Sequence, residues 1–122
     1  LDFSKKIENV KNKINNFLET VKSEGKSVIC YGAPAKGNTL LNFCSISSNQ
    51  IEYTVDRNPY KQGLFLPGSH IPIKSVTTIQ ETKPDYIIIL PWNIKDEIMQ
   101  QMKDIRTWGG KFVIPIPEVK IL

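Results

Sequence analysis

Tyr86-Ile-Ile-Ile-Leu90 is the segment that most constrains the fold. Three consecutive isoleucines leave no polar face, so both faces of a strand here must be buried, as in a parallel sheet covered on both sides. Two shorter runs read the same way: Ser27-Val-Ile-Cys-Tyr31 and Lys111-Phe-Val-Ile-Pro115. Ile51-Glu-Tyr-Thr-Val55 reads as a further strand, and Val119 to Leu122 as a possible fifth. Between them lie helical spacings. Ile7, Val10, Ile14, Phe17, Leu18 and Val21 form one apolar stripe over roughly residues 4–24, with Ser4 as cap and Gly25 as stop. Leu40, Leu41 and Cys44 continue the pattern after Asn38. Thr77 to Thr82 reads as a short helix, and Ile94, Ile98, Met102 and Ile105 as a longer one stopping at Gly109-Gly110.

Strands alternating with helices predict an α/β fold: a Rossmann-like three-layer domain with a mostly parallel sheet of 4–5 strands, preceded by an amphipathic N-terminal helix. The 122 residues suit one domain, with residues 1–25 as the leading helix and 26–122 as the α/β core. Residues 57–74 hold three prolines and two glycines and read as one long irregular loop, of the kind that is functional or an interface.

Apolar residues at 40% and charged residues at 23% exclude a disordered chain. No apolar run approaches the ~20 residues of a membrane span, and no signal peptide is visible. The first helix carries charges of both signs on its polar face, which favours a solvated face over a membrane-bound one. The net charge of +4 is spread without a Lys/Arg block, so neither nucleic acid nor membrane is an expected partner. Cys30 and Cys44 suit core positions in a reducing, cytoplasmic setting, and no Cys/His cluster suggests a metal.

In such a sheet ligands bind beyond the carboxyl ends of the strands, near the topological switch point. Four segments are expected there: Gly32–Asn38, Asp56–Lys61, Pro91–Asn93 and Pro115–Glu118. The first, Gly32-Ala33-Pro34-Ala35-Lys36-Gly37-Asn38-Thr39, offers glycines for close backbone approach, a helix N-terminus for an anion, and a lysine. It matches neither the Walker A pattern nor G-x-G-x-x-G, so phosphate binding and a structural turn both stay open. Asp56 lies about 20 residues beyond the loop, where a dinucleotide fold keeps an acid for a ribose; a loop cap is the other reading. Arg57 could meet a phosphate. His70, the one histidine, is either an acid or base, or a structural or substrate contact. Trp92 either packs or touches a ligand; Tyr60 and Phe65 either stack on a base or fill an interface. No nucleophile–base–acid set is present, so no catalytic residue is expected.

The loops also carry a resemblance. Tyr31-Gly-Ala-Pro-Ala-Lys-Gly-Asn-Thr-Leu-Leu-Asn42, Tyr53-Thr-Val-Asp-Arg-Asn-Pro-Tyr-Lys-Gln-Gly63, Leu66-Pro-Gly-Ser-His-Ile-Pro-Ile73, Lys83-Pro-Asp-Tyr86, Leu90-Pro-Trp-Asn93 and Trp108-Gly-Gly-Lys-Phe112 occur in order. Together they resemble the C-terminal domain of bacterial S-adenosylmethionine-dependent sugar C-methyltransferases. The resemblance spans nearly the whole chain and is weakest in the first helix. It implies a longer enzyme, with a zinc-binding N-terminal domain and a central methyltransferase domain as this segment's partners. The central domain would hold S-adenosylmethionine and catalyse. The reaction implied is deprotonation alpha to a 4-keto group and attack of the enolate on the methyl sulfonium. This segment would then bind the nucleotide-sugar. Gly32 to Thr39, with Lys36, would hold the diphosphate. Asp56, Arg57, Asn58, Lys61 and His70 would orient nucleoside or sugar, and Pro91, Trp92 and Asn93 would line the cleft. The competing expectations are a non-catalytic nucleotide-binding module and a structural domain that buttresses the rest of the enzyme.

Overall fold

The structure, a computed structural model, describes residues 3–122, with side chains described from Lys5 onward. The cap expected at Ser4 lies outside the described side chains. Helix α1 (Phe3–Ser23) leads into β1 (Val28–Tyr31), α2 (Ala35–Phe43), β2 (Thr54–Val55) and β3 (Ile73–Lys74). Then come α3 (Thr78–Thr82), β4 (Tyr86–Ile89), α4 (Lys95–Gln101), β5 (Lys111–Ile114) and β6 (Lys120–Ile121). Turns of 3₁₀ helix at Trp92–Ile94 and Lys103–Trp108 flank α4.

Six strands form one sheet in the order β3-β2-β1-β4-β5-β6. The first five are parallel and β6 runs antiparallel to β5. The chain winds outward from β1 through β2 to β3, then crosses back to place β4 on the other side of β1. The switch point therefore lies between β1 and β4. This is the expected Rossmann-like α/β arrangement, with six strands where four or five were expected.

Alternation along each strand divides the core into two layers. Val28, Cys30, Ile88, Leu90 and Val113 face α1 and α2 on one side. Ile29, Tyr31, Ile87, Ile89, Phe112 and Ile114 face the layer of α3 and α4, with Ile79, Ile98, Met102 and Ile105, on the other. Ile87 and Ile89 are fully buried, and Ile88 nearly so, as the unbroken isoleucine run requires.

Three expectations are corrected. The stretch 57–74 is not irregular throughout: it folds back on itself and contributes β3. Gly63 and Ile73, and Leu66 and Ile71, are joined by main-chain bonds of 2.8–2.9 Å. Phe65 and Pro72 form an antiparallel bridge. Pro72 costs nothing here because the ladder uses its carbonyl, which accepts from Thr54 N–H at 2.9 Å. The second strand is only Thr54–Val55. The long helix after Pro91 is three pieces, α4 between its two 3₁₀ turns; Ile98, Met102 and Ile105 share the buried face, whereas Ile94, in the first 3₁₀ turn, is exposed.

Candidate functional site: a cleft at the switch point

Pro34 decides the shape of the first loop. Its φ of −78° and extended ψ place it as the N-cap of α2, so the helix starts at Ala35. The loop is therefore Gly32–Pro34, shorter than the stretch to Gly37 read from the sequence, and Ala35, Lys36 and Gly37 form the first helical turn. Gly32 has φ +93°, and a Cβ there would stand 2.7 Å from Cδ of Pro91. The loops after β1 and β4 thus touch. Gly32 N–H donates to Val55 O at 2.6 Å, and the Thr54 hydroxyl donates to Gly32 O at 2.6 Å. Gly37 is a contact of a different kind: its missing Cβ leaves room for Leu90, which would lie 2.7 Å away. That is the helix-on-strand packing role a glycine plays in this fold.

The loop after β2 is built by its own side chains. Asn58 N–H donates to Asp56 Oδ1 at 2.8 Å, and Tyr60 N–H to Asn58 Oδ1 at 3.0 Å. Gln62 Nε2 donates to Asp56 O at 2.8 Å. These turns bring Lys61 back over the first loop, where its ammonium donates to Ala33 O at 3.2 Å.

The result is a cleft of about 340 Å³ between the ends of β1, β2 and β4. Of the residues named from the sequence, Gly32, Ala33, Pro34, Asp56, Arg57, Lys61 and Pro91 line it. Glu97 and Gln101 of α4 line it too, and sequence reasoning missed them. Their signal was there: Glu97 adjoins Ile98 and Gln101 adjoins Met102, two of the residues that mark the buried face of that helix. The ion pairs among the described residues are Lys26–Glu24, Lys95–Asp96 and Lys120–Glu118; none involves Arg57 or Lys61.

The remaining expected residues lie elsewhere. Ala35, Lys36, Thr39 and Trp92 line a separate apolar groove beside α1 and α2. Gly37 is buried under Leu90, and Asn38 is half-buried with its Oδ1 unpartnered. Asn58 is exposed and serves its own turn. Asn93 is exposed and lines a shallow depression with Lys120. His70 is not brought to the cleft. Its ring stacks on Phe65 at 4.3 Å, and its loop is bonded to the far end of α2 through Asn42 Nδ2, which donates to Pro67 O. Of the other aromatics, Tyr60 stands free at 89% exposure. Cys30 and Cys44 are buried and unpaired, and burial pushes both thiols up from their ordinary range.

A parallel sheet wound both ways from β1, with a charged cleft at its switch point, is a Rossmann-like domain. Residues 1–117 match the C-methyltransferase C-terminal domain model, and the chain belongs to that family. It is 38% identical over 121 residues to the C-methyltransferase NovU of Streptomyces niveus, covering 99% of this chain and 29% of that protein. The chain thus spans less than a third of the length of this relative. No described helix is long and apolar enough to cross a membrane.

Proposed function

We propose that residues 1–122 form one domain of a longer, S-adenosylmethionine-dependent C-methyltransferase, and that this domain holds a nucleotide-linked keto-deoxysugar in the switch-point cleft. The observation that carries this reading is the Lys61 ammonium, fixed on the Ala33 carbonyl with Arg57 on the same wall. Neither cation is neutralised by an ion pair among the described residues. A diphosphate is the group that such a pair suits, as charge-assisted bonds to phosphate are the strong ones. Asp56 and Glu97 on the same cleft have carboxylate oxygens that can accept from ligand hydroxyls, so the lining suits both halves of a nucleoside diphosphate.

The family resemblance assigns the methyl donor, S-adenosylmethionine, to the rest of the enzyme. This domain's share of the reaction is to bind and orient the sugar carrier. Lys36 leaves the diphosphate set, because it projects into the groove on the other side of α2's first turn.

The test uses the full-length enzyme. Arg57→Ala and Lys61→Ala should each weaken binding of the nucleotide-sugar by about tenfold, the scale of one hydrogen bond to a charged group. The KM for S-adenosylmethionine should not move. Arg57 is exposed, so its loss does not disturb folding. Unchanged nucleotide-sugar affinity in both variants would overturn the assignment.

A further inference from the structure

A second concavity lies beside the cleft on the same edge of the sheet. It is a groove of about 670 Å³, walled by Ile7 of α1, Leu40 and Phe43 of α2, and Trp92 and Ile116 from the loops after β4 and β5. Among the described residues, Lys36 is its one charged lining residue. Phe43 is 43% exposed, with the Lys11 ammonium over its ring at 5.5 Å. The groove's exposed lining is almost wholly apolar, as at the core of a protein interface.

Three observations choose its occupant. The family is that of a C-terminal domain, and the related C-methyltransferase leaves 71% of its length outside the match (100% less the 29% covered), so most of such an enzyme precedes this segment. Ile7 lies in the early turns of α1, so the N-terminal end of α1 stands at the groove's wall. The groove and the cleft share a rim: Pro91 lines the cleft and Trp92 the groove, while Pro34 lines the cleft and Ala35 the groove. A body seated in the groove would overhang the cleft.

We propose that this groove is the seat of the part of the same enzyme that precedes α1, docked through apolar side chains with an acidic or carbonyl group opposite Lys36. Docking there carries the reacting centre to the rim of the cleft without using any residue that lines it. The inference rests on the longer enzyme of the functional reading, and not on which ligand the cleft holds.

A benzophenone amino acid in place of Phe43, and separately of Thr39, in the full-length enzyme tests it; both positions are exposed, so the replacements leave the core intact. The same label at Tyr60 is the control. Illumination should give an intramolecular cross-link from positions 43 and 39, at monomer mass, mapping to sequence before Leu1. Cross-links between two copies would overturn the proposal in favour of a dimer interface. Cross-linking no stronger than at Tyr60 would overturn it in favour of an open surface. Loss of nucleotide-sugar affinity in Arg57→Ala is read separately, so either proposal can fail alone.

Discussion

At Gly32 two requirements coincide. Its φ of +93° is one that a side chain resists, and the space a Cβ would fill belongs to the Pro91 ring. A proline ring does not swing aside as a lysine would. Left-handed backbone costs a non-glycine residue about 1–2 kcal/mol, and forcing extra carbon into packed surroundings adds about 1–3 kcal/mol. Gly32→Ala should therefore destabilise the chain by about 3 kcal/mol on urea unfolding. Gly63 separates the two terms, since its φ is +89° but nothing lies within 4 Å of its Cβ position. Gly63→Ala should cost only the backbone share, about 1 kcal/mol. Equal losses in the two variants would show that the contact with Pro91 carries no weight. The sequence exposed Gly32 as a point of close approach, but not what approaches. Pro91 is far away along the chain, and only the crossover to β4 brings it there. Lys61 was legible as a cation in a ligand loop. Its bond to Ala33 O was not, because it depends on the Asx turns at Asp56 and Asn58.

Elements fared unequally for physical reasons. β1, β4 and β5 are central strands, and their burial on two faces writes itself as runs of isoleucine, valine and phenylalanine. β3 and β6 are two-residue edge strands without such a run, and β3 is set by neighbours rather than by its own composition. The same holds for α2, whose start depends on Pro34 more than on apolar spacing. The ends of β1 and β4 away from the cleft are joined by a clasp that the Lys83-Pro84-Asp85 turn makes possible. Ser27 N–H donates to Asp85 Oδ2 at 2.9 Å, and Asp85 N–H donates to Ser27 Oγ at 3.1 Å. Asp85→Ala leaves the half-buried Ser27 N–H without its charged acceptor, a loss of about 2 kcal/mol. The urea midpoint should fall accordingly, while the nucleotide-sugar affinity proposed for the full-length enzyme stays unchanged, because the clasp and the cleft lie at opposite edges of the sheet. A weakened affinity would mean that the two edges are coupled through β1 and β4.

Across the whole molecule, the meeting of the loops after β1, β2 and β4 at the carboxyl edge was legible in the sequence, because it follows from topology alone. Topology could not divide that edge into two surfaces. The division falls at Pro34–Ala35 and Pro91–Trp92, where successive side chains point to opposite sides, and only packed helices define what each side meets. The same packing sets a property of the entire fold, its response to alkali. Cys30 is completely buried on β1, and Cys44 is 1% exposed at the end of α2. Burial disfavours the thiolate at both, and at the Tyr53 phenolate, so all three folded-state values lie above their unfolded ones. The unfolded chain therefore releases protons first as pH rises. Their contribution to stability is fully present below the unfolded thiol value of about 8.5 and declines above it. For Cys30 the decline is about 1.4 kcal/mol per pH unit, with Tyr53 adding to it above about pH 10. Urea unfolding at a series of pH values from neutral upward should show a level stretch and then a falling midpoint. Cys30→Ala should be less stable at neutral pH, through the lost packing, yet fall less steeply in alkali. If its slope matched that of the parent, the buried β1 thiol would not be the group that alkali attacks.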